Sequence, residues 1–245
     1  MASLSYASAP VPVRADLVDA HCRAWQRIAA PGTWWTGAER VGIAAEVRNA
    51  RGCRLCGARK AALSPQAVQG SHDRLGGLPE PIVEVIHRVV TDPGRLSKAW
   101  FEGVTASGVE DTSYVETIGV VVTVVSVDAF CRAIGIPLHA LPAPVEGESS
   151  RQRPKGARPE GAWVAMIPHG DETGPDADLY EEGRLPNVGR ALSLVPAEVR
   201  GVKALARAQY VPMHQVLDVR LSRAIDRVQM ELIAGRVSAR NQCFY

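Results

Sequence analysis

Between Asp111 and Gly135 the chain runs for about 20 residues without a proline. Strands are rarely that long, so this stretch favours a helix. Its valine runs, Val120-Val121-Val122 and Val124-Val125, keep a strand open as the alternative, because β-branched side chains suit sheets. Tyr114, Ile118, Val121, Val122, Val125 and Phe130 recur at roughly helical spacing. The spacing predicts one long helix, capped by Asp111 or Thr112 and ending near Ala133. The longest apolar run, Ile118 to Val127, is too short to span a bilayer.

The rest of the sequence reads the same way. Leu17, Val18, His21, Trp25 and Ile28 form a helical stripe over Arg14–Ala30, stopped by Pro31-Gly32. Thr36 and Glu39 have the capping-box spacing and start a second helix through about Arg51. Gly52 breaks it, and Cys53 opens a third helix that ends near Ser64-Pro65. Glycines 70, 76 and 77 mark a loop. A helix over Pro81–Thr91 carries Ile82, Val85, Ile86 and Val89, and a short one holds Leu96, Trp100 and Val104. From Leu141 to Ala162 prolines, glycines and basic residues replace the apolar pattern, which reads as a mobile linker. The loop Pro168–Pro175 is irregular. Helical periodicity returns over Pro196–Gln209, Met213–Arg223 and Asp226–Ala239. The expected class is all-α.

A net charge of +2 leaves no electrostatic footprint for nucleic acid. The N-terminus lacks the charged start and apolar stretch of a signal peptide. Five cysteines, an odd number without a regular framework, fit a reducing cytoplasm. Two of them form Cys53-Arg54-Leu55-Cys56, a spacing that can close a disulfide on one helical turn. A partial echo stands at Cys243-Phe244-Tyr245. Placing Cys53 on Cys243 aligns Ile43-Ala44 with Ile233-Ala234 and Val47 with Val237. Two related units are therefore expected, residues 1–140 and 163–245, joined by the linker 141–162.

A helix running into Cys-x-x-Cys, another helix, and a Gly-Val-Val-rich helix ending in a turn at Gly135-Ile136-Pro137 resembles the alkyl hydroperoxidase AhpD and carboxymuconolactone decarboxylase superfamily. The stretch from Glu231 to Tyr245 looks still more like it. In that family a glutamate lies twelve residues before the first cysteine of the motif, and a histidine four after the second. Glu231 and Cys243 fit the first of these spacings. The resemblance covers about Trp35–Pro137 as a first unit and Asn187–Tyr245 as a partial second.

The resemblance implies hydroperoxide reduction or thiol–disulfide exchange. The second motif cysteine attacks as a thiolate, histidine and glutamate relay its proton, and the first cysteine resolves the sulfenic acid to a disulfide. Cys56 would then attack and Cys53 resolve. In the second unit Cys243 would resolve, with Glu231 in the relay. The attacking partner would be residue 246, which lies past the sequence; a shortened reading, a selenocysteine codon or a chance likeness are the alternatives. The implied partners are a peroxide or disulfide substrate and a thiol or dithiol-protein reductant, with no metal or organic cofactor. Helical faces in such a fold make homo-oligomers the expectation. A non-catalytic helical scaffold and a decarboxylase acting on a cyclic lactone are the competing readings.

The first unit departs from the family pattern. Val41 stands twelve residues before Cys53, and Lys60 four after Cys56. The ammonium of Lys60 can favour a thiolate but cannot shuttle protons near neutral pH without a strongly lowered pKa. Glu39 has its role in the capping box, and Glu46 reads as a solvated face residue with a relay as the alternative. His87 reads as a core-edge histidine and as the substitute base if the fold carries it to Cys56. His72, His139, His169 and His214 show no ligand spacing. Cys22 beside His21 could join Cys53 and Cys56 in a zinc set. It lies on an apolar stripe, however, and like Cys131 reads as a buried structural thiol.

Overall fold

The computed structural model describes residues 4–180, 187–212, 215 and 218–241. It is mainly helical. Among the described residues the helices are α1 (Ala15–Ala29), α2 (Gly37–Asn49), α3 (Arg54–Ala61), α4 (Glu80–Thr91), α5 (Lys98–Ala106), α6 (Asp111–Ala133), α7 (Asn187–Arg190), α8 (Pro196–Gln209) and α9 (Arg227–Arg240). The only sheet among these residues is the two-residue antiparallel pair β1 (Arg158–Pro159) and β2 (Ala165–Met166).

Helix α6 is the centre, packed by α2, α4 and α8. Val120, Val121, Val124 and Val127 are all buried in the main core beside Ile43, Val47, Ile82 and Ile86. Burial on several sides offsets the small helical penalty of valine, so tertiary packing decides what propensity leaves open. Gly135 then adopts φ +74°. The Ile136 N–H bonds the Cys131 carbonyl (3.0 Å) and the Gly135 N–H bonds that of Arg132 (3.2 Å), a Schellman ending. Helix α6, 23 residues long, contains an 18-residue stretch of mean hydropathy 1.7, and it is the one described helix long and apolar enough to cross a membrane. Counting only the run from Ile118 to Val127 missed this. Most of that stretch, 61%, is buried inside the fold, as in the core helix of a globular domain.

The start of α2 is as the sequence predicts. The Glu39 N–H donates to Thr36 Oγ1 (3.3 Å) and the Thr36 N–H to Glu39 Oε2 (2.8 Å). This helix is packed on more than one side: α1, α4 and α6 all touch it. It therefore buries two charged residues, Arg40 and Glu46, along with Ile43, Ala44 and Val47.

Segment 141–162 has no helix but is fastened to the α1–α2 connection, unlike the mobile linker its composition suggests. The Val145 N–H donates to the Ala29 carbonyl (2.8 Å) and the Arg151 N–H to that of Thr33 (2.8 Å). Arg153 pairs with Asp111 through both guanidinium nitrogens (2.8 and 2.7 Å). The Ala29 carbonyl is one of those that a helix end leaves without an internal partner. A chain with no core of its own can dock there.

The C-terminal residues share the first unit's core. Leu205 and Ala208 of α8 lie in the main apolar cluster, and a second cluster joins Phe101 and Val115 to Val164, Ile167, Leu179, Leu194 and Val199. A buried ionic group fastens this junction. Arg40 pairs with Glu116 and with Glu198 (3.0 Å), and Arg27 pairs with Glu198 (2.6 Å) and donates to Thr123 Oγ1 (2.9 Å). The Trp34 N–H donates to Glu116 (2.6 Å). Two cations face two carboxylates, which is what makes burial of Arg40, Glu116 and Glu198 tolerable, with Arg27 half-buried at the edge of the group.

The helix expected over Met213–Arg223 is not formed by its described residues. At 218–223 the chain turns, the Arg220 N–H donating to Asp218 Oδ1 (2.9 Å), and an isolated bridge joins Ser222 to Asp226. Aspartate competes for backbone donors in this way and favours turns over helix interiors. Helix α9 follows, with a capping box between Asp226 and Gln229. Its Ile233 and Val237 are 54% and 52% exposed, whereas the matching Ile43 and Val47 of α2 are buried. The two helices share a pattern and not an environment.

Candidate functional site

Asn49 ends α2, a single 3-10 turn (Ala50–Gly52) follows, and Cys53 becomes the N-cap of α3. Cys56 therefore sits in the first turn of α3, where the helix dipole favours a thiolate. Both thiols are free and buried.

The loop after α3 is tied down at two points. Asp73 accepts the Arg54 backbone N–H at the helix N-terminus (2.9 Å) and pairs with the Arg54 guanidinium (2.7 Å). Glu46 accepts from the Leu75 N–H (3.1 Å) and from the Asn49 side-chain amide (2.7 Å). Gly70, at φ +151°, lets the backbone pass close to Leu55. Held between these points, His72 points its Nδ1 at both sulfurs, 3.5 Å from Cys53 Sγ and 3.5 Å from Cys56 Sγ.

Helix α4 supplies the other wall. Its Glu84, His87 and Thr91 lie one turn apart along one face. His87 Nδ1 is 3.3 Å from Cys56 Sγ, and its Nε2 is 2.9 Å from Glu46 Oε1. Glu84 Oε2 is 2.7 Å from His72 Nε2 and 2.8 Å from the Arg59 guanidinium, and Trp100 Nε1 donates to Glu84 Oε1 (3.0 Å). The site is thus two thiols, two imidazoles whose Nδ1 atoms face the sulfurs, and two carboxylates on the far imidazole nitrogens. The imidazole rings are 4.2 Å apart.

Burial alone would raise the Cys56 thiol, but hydrogen bonds to His72 and His87 outweigh it and bring the pKa to about 6. Burial would lower His72, and its bonds to Cys56 and Glu84 instead raise it to about 10. His87 is raised in the same way by Cys56 and Glu46. Against desolvation, His72, Arg59 and Trp100 hold Glu84 down at about 2. Glu46 and Cys53 are also lowered despite burial, Cys53 through the nearby Cys56 backbone N–H and His72.

No protein-family model, no curated protein and no solved structure significantly matches this chain. What the site can do must be read from its own atoms.

The structure brings together four of the expected residues, Cys53, Cys56, Glu46 and His87. Glu46 is fully buried, which corrects its reading as a solvated residue. His87 is buried against Cys56 and is not at the core's edge. Lys60 is exposed, and no hydrogen bond or ion pair joins its ammonium to either thiol. Glu231 lies exposed on α9, where it pairs with Arg227 (2.8 Å) and accepts from Tyr210. Cys243 and His214 lie outside the described residues. Cys22 approaches the Leu4 carbonyl, and Cys131 is buried in the main core.

Sequence reasoning missed His72 and Glu84. Glu84 had a signal: with His87 and Thr91 it forms a polar row on a helix that is otherwise apolar apart from Glu80 and Arg88. His72 had little beyond its neighbour Asp73, a residue type that caps helices.

A cavity of about 420 Å³ opens beside His72 and Glu84, walled by Arg59, Pro81, Trp100 and Val104. Of the two imidazoles, His72 is the one that lines it.

Proposed function

We propose that Cys53 and Cys56 form a thiol redox centre that reduces hydroperoxides or exchanges disulfides, as in the AhpD-like proteins the sequence resembles, and that it works in a reducing cytoplasm. The supporting observation is the unbroken line Cys56 Sγ–His87–Glu46, with steps of 3.3 and 2.9 Å. It supplies a base beside the thiol and a carboxylate behind the base, the arrangement that activates a nucleophile. His87 and Glu46 thereby take the roles that the family's sequence pattern would give to positions 60 and 41.

In the proposed cycle the Cys56 thiolate attacks the outer peroxide oxygen. The O–O bond breaks, the sulfur becomes a sulfenic acid, and the leaving alkoxide takes a proton from the imidazolium. The Cys53 sulfur then attacks the sulfenic sulfur, a disulfide forms, and water leaves with a second proton. An external thiol or dithiol protein returns two electrons. At the usual thiol pKa only about 3% of a cysteine is thiolate at pH 7, whereas a pKa of about 6 makes it about 90%. The gain in attacking species is thus about 30-fold.

The test is hydroperoxide consumption with dithiothreitol as reductant, for the wild type, Cys56→Ser and Glu46→Gln. Turnover should vanish in the first variant and fall at least 10-fold in the second. Background rates in all three proteins would overturn the proposal.

A further inference from the structure

In the thiol pocket the ligand atoms of Cys53, Cys56, His72 and His87 all lie within 4.8 Å of one another. Tetrahedral zinc holds sulfur at about 2.3 Å and imidazole nitrogen at about 2.0–2.1 Å, which places sulfur and nitrogen about 3.6 Å apart. Three of the four sulfur–nitrogen separations here are 3.5, 3.5 and 3.3 Å, and the fourth, between Cys53 and His87, is no more than 4.8 Å. One nitrogen, His72 Nδ1, is equidistant from both sulfurs. A single proton on that nitrogen can serve only one sulfur well, whereas a cation placed between the three atoms serves all of them.

The imidazoles are set for this task. Each gives its Nε2 to a buried or half-buried carboxylate, His72 to Glu84 and His87 to Glu46. A neutral imidazole with its proton on Nε2 has its lone pair on Nδ1, facing the sulfurs. Carboxylates behind metal-bound histidines fix tautomer and ring direction in this way. Two thiolates neutralise a divalent charge, and two sulfurs with two nitrogens in a tetrahedral set suit zinc better than the oxygen-seeking cations.

We propose that the reduced site binds one zinc-class divalent cation through Cys53 Sγ, Cys56 Sγ, His72 Nδ1 and His87 Nδ1, and that metal and disulfide exclude one another. The second half rests on the thiol redox reading. A hydroperoxide would then discharge the metal: two zinc-bound thiolates, one ROOH and two protons give the disulfide, ROH, water and free Zn²⁺. The thiolates supply the two electrons, and the O–O bond breaks. While bound, the metal draws on the thiolate lone pairs that attack the peroxide, so zinc slows the redox reaction until oxidation releases it.

The experiment titrates Zn²⁺ into the full chain against a chromophoric chelator, for reduced wild type, hydroperoxide-oxidised wild type, His72→Ala and Cys53→Ser. Co²⁺ replaces Zn²⁺ in a parallel run, and circular dichroism checks folding of the variants. The expected result is about one Zn²⁺ per reduced chain, with thiolate-to-cobalt charge-transfer absorption. The folded variants should lose at least 100-fold in affinity, and the oxidised wild type should bind none. The comparison of reduced with oxidised wild type needs no variant to fold. Absence of zinc binding by the reduced wild type overturns the metal site, as does undiminished binding by His72→Ala. If the same sample still loses two thiols to hydroperoxide, the redox reading survives that failure. Zinc binding by a protein whose metal-free thiols resist hydroperoxide overturns the redox reading, and with it the exclusion of one state by the other.

Discussion

Replacing Gly119 with alanine sets two physical effects against each other. Inside a helix, alanine is favoured over glycine by about 1 kcal/mol, and Gly119 lies in the middle of α6. A Cβ there would stand 2.6 Å from Glu198 Cδ and Cγ, and closer still to Oε2. Glu198 has no free direction in which to retreat: it is 1% exposed and held by Arg27 and Arg40. Making room means pulling its carboxylate from at least one guanidinium. Separating a buried ion pair costs about 3–5 kcal/mol. After the helical gain, the expected loss is about 2–4 kcal/mol. At about 2–4 °C per kcal/mol for a chain of this size, the melting temperature should fall by roughly 4–16 °C. Gly103, in α5, is the control. A Cβ there meets nothing within 4 Å, so Gly103→Ala should gain up to about 1 kcal/mol. Thermal and urea unfolding followed by circular dichroism measure both. A Gly119→Ala protein that melts at or above the wild type, while Gly103→Ala is stabilised, would refute the tight seat assigned to Glu198.

In metal-free protein, alkylation of Cys56 should rise with pH through a midpoint near 6 and level off by about pH 8, since its thiol is lowered to about 6. His87→Ala should move that midpoint upward; iodoacetamide rates assigned by mass spectrometry read it, and an unmoved midpoint would remove His87 from thiol activation. Because folding lowers this thiol, the thiolate's contribution to stability is complete above the thiol's ordinary pKa and is lost as pH falls through about 6. His72, raised to about 10, contributes in the opposite sense: its share is complete below its ordinary pKa and is lost as pH rises through about 10. Thr36→Ala should cost about 1 kcal/mol in urea unfolding by opening the α2 capping box, and no change would show the cap to be idle.

The helices were legible where their signals are local. The span of α6 follows from its length and proline-free run, the start of α2 from Thr36 and Glu39, and that of α8 from Pro196. The site was half legible. Cys53 and Cys56 announce themselves by spacing, but Glu46 sits on a helix packed by three neighbours. There a buried charge leaves no break in an amphipathic stripe. His72 is placed by Asp73 gripping the start of α3 and by Glu46 gripping Leu75. Those are contacts between distant positions, which no periodicity encodes. The exposure of Ile233 and Val237 was hidden for the same reason: pattern says that a helix has an apolar row, not that something covers it.

The buried ionic group also sets an order in time. Arg40 and Glu198 are 158 positions apart in the chain. At about 5–20 residues per second of synthesis, roughly 8–30 s separate the appearance of the cation from that of its second carboxylate. Every residue of the thiol pocket, from Glu46 to Trp100, has left the ribosome well before then. The nascent protein therefore carries a complete set of pocket residues while Arg40 has Glu116 as its one carboxylate partner, and only the arrival of α8 brings Glu198 to Arg27 and Arg40.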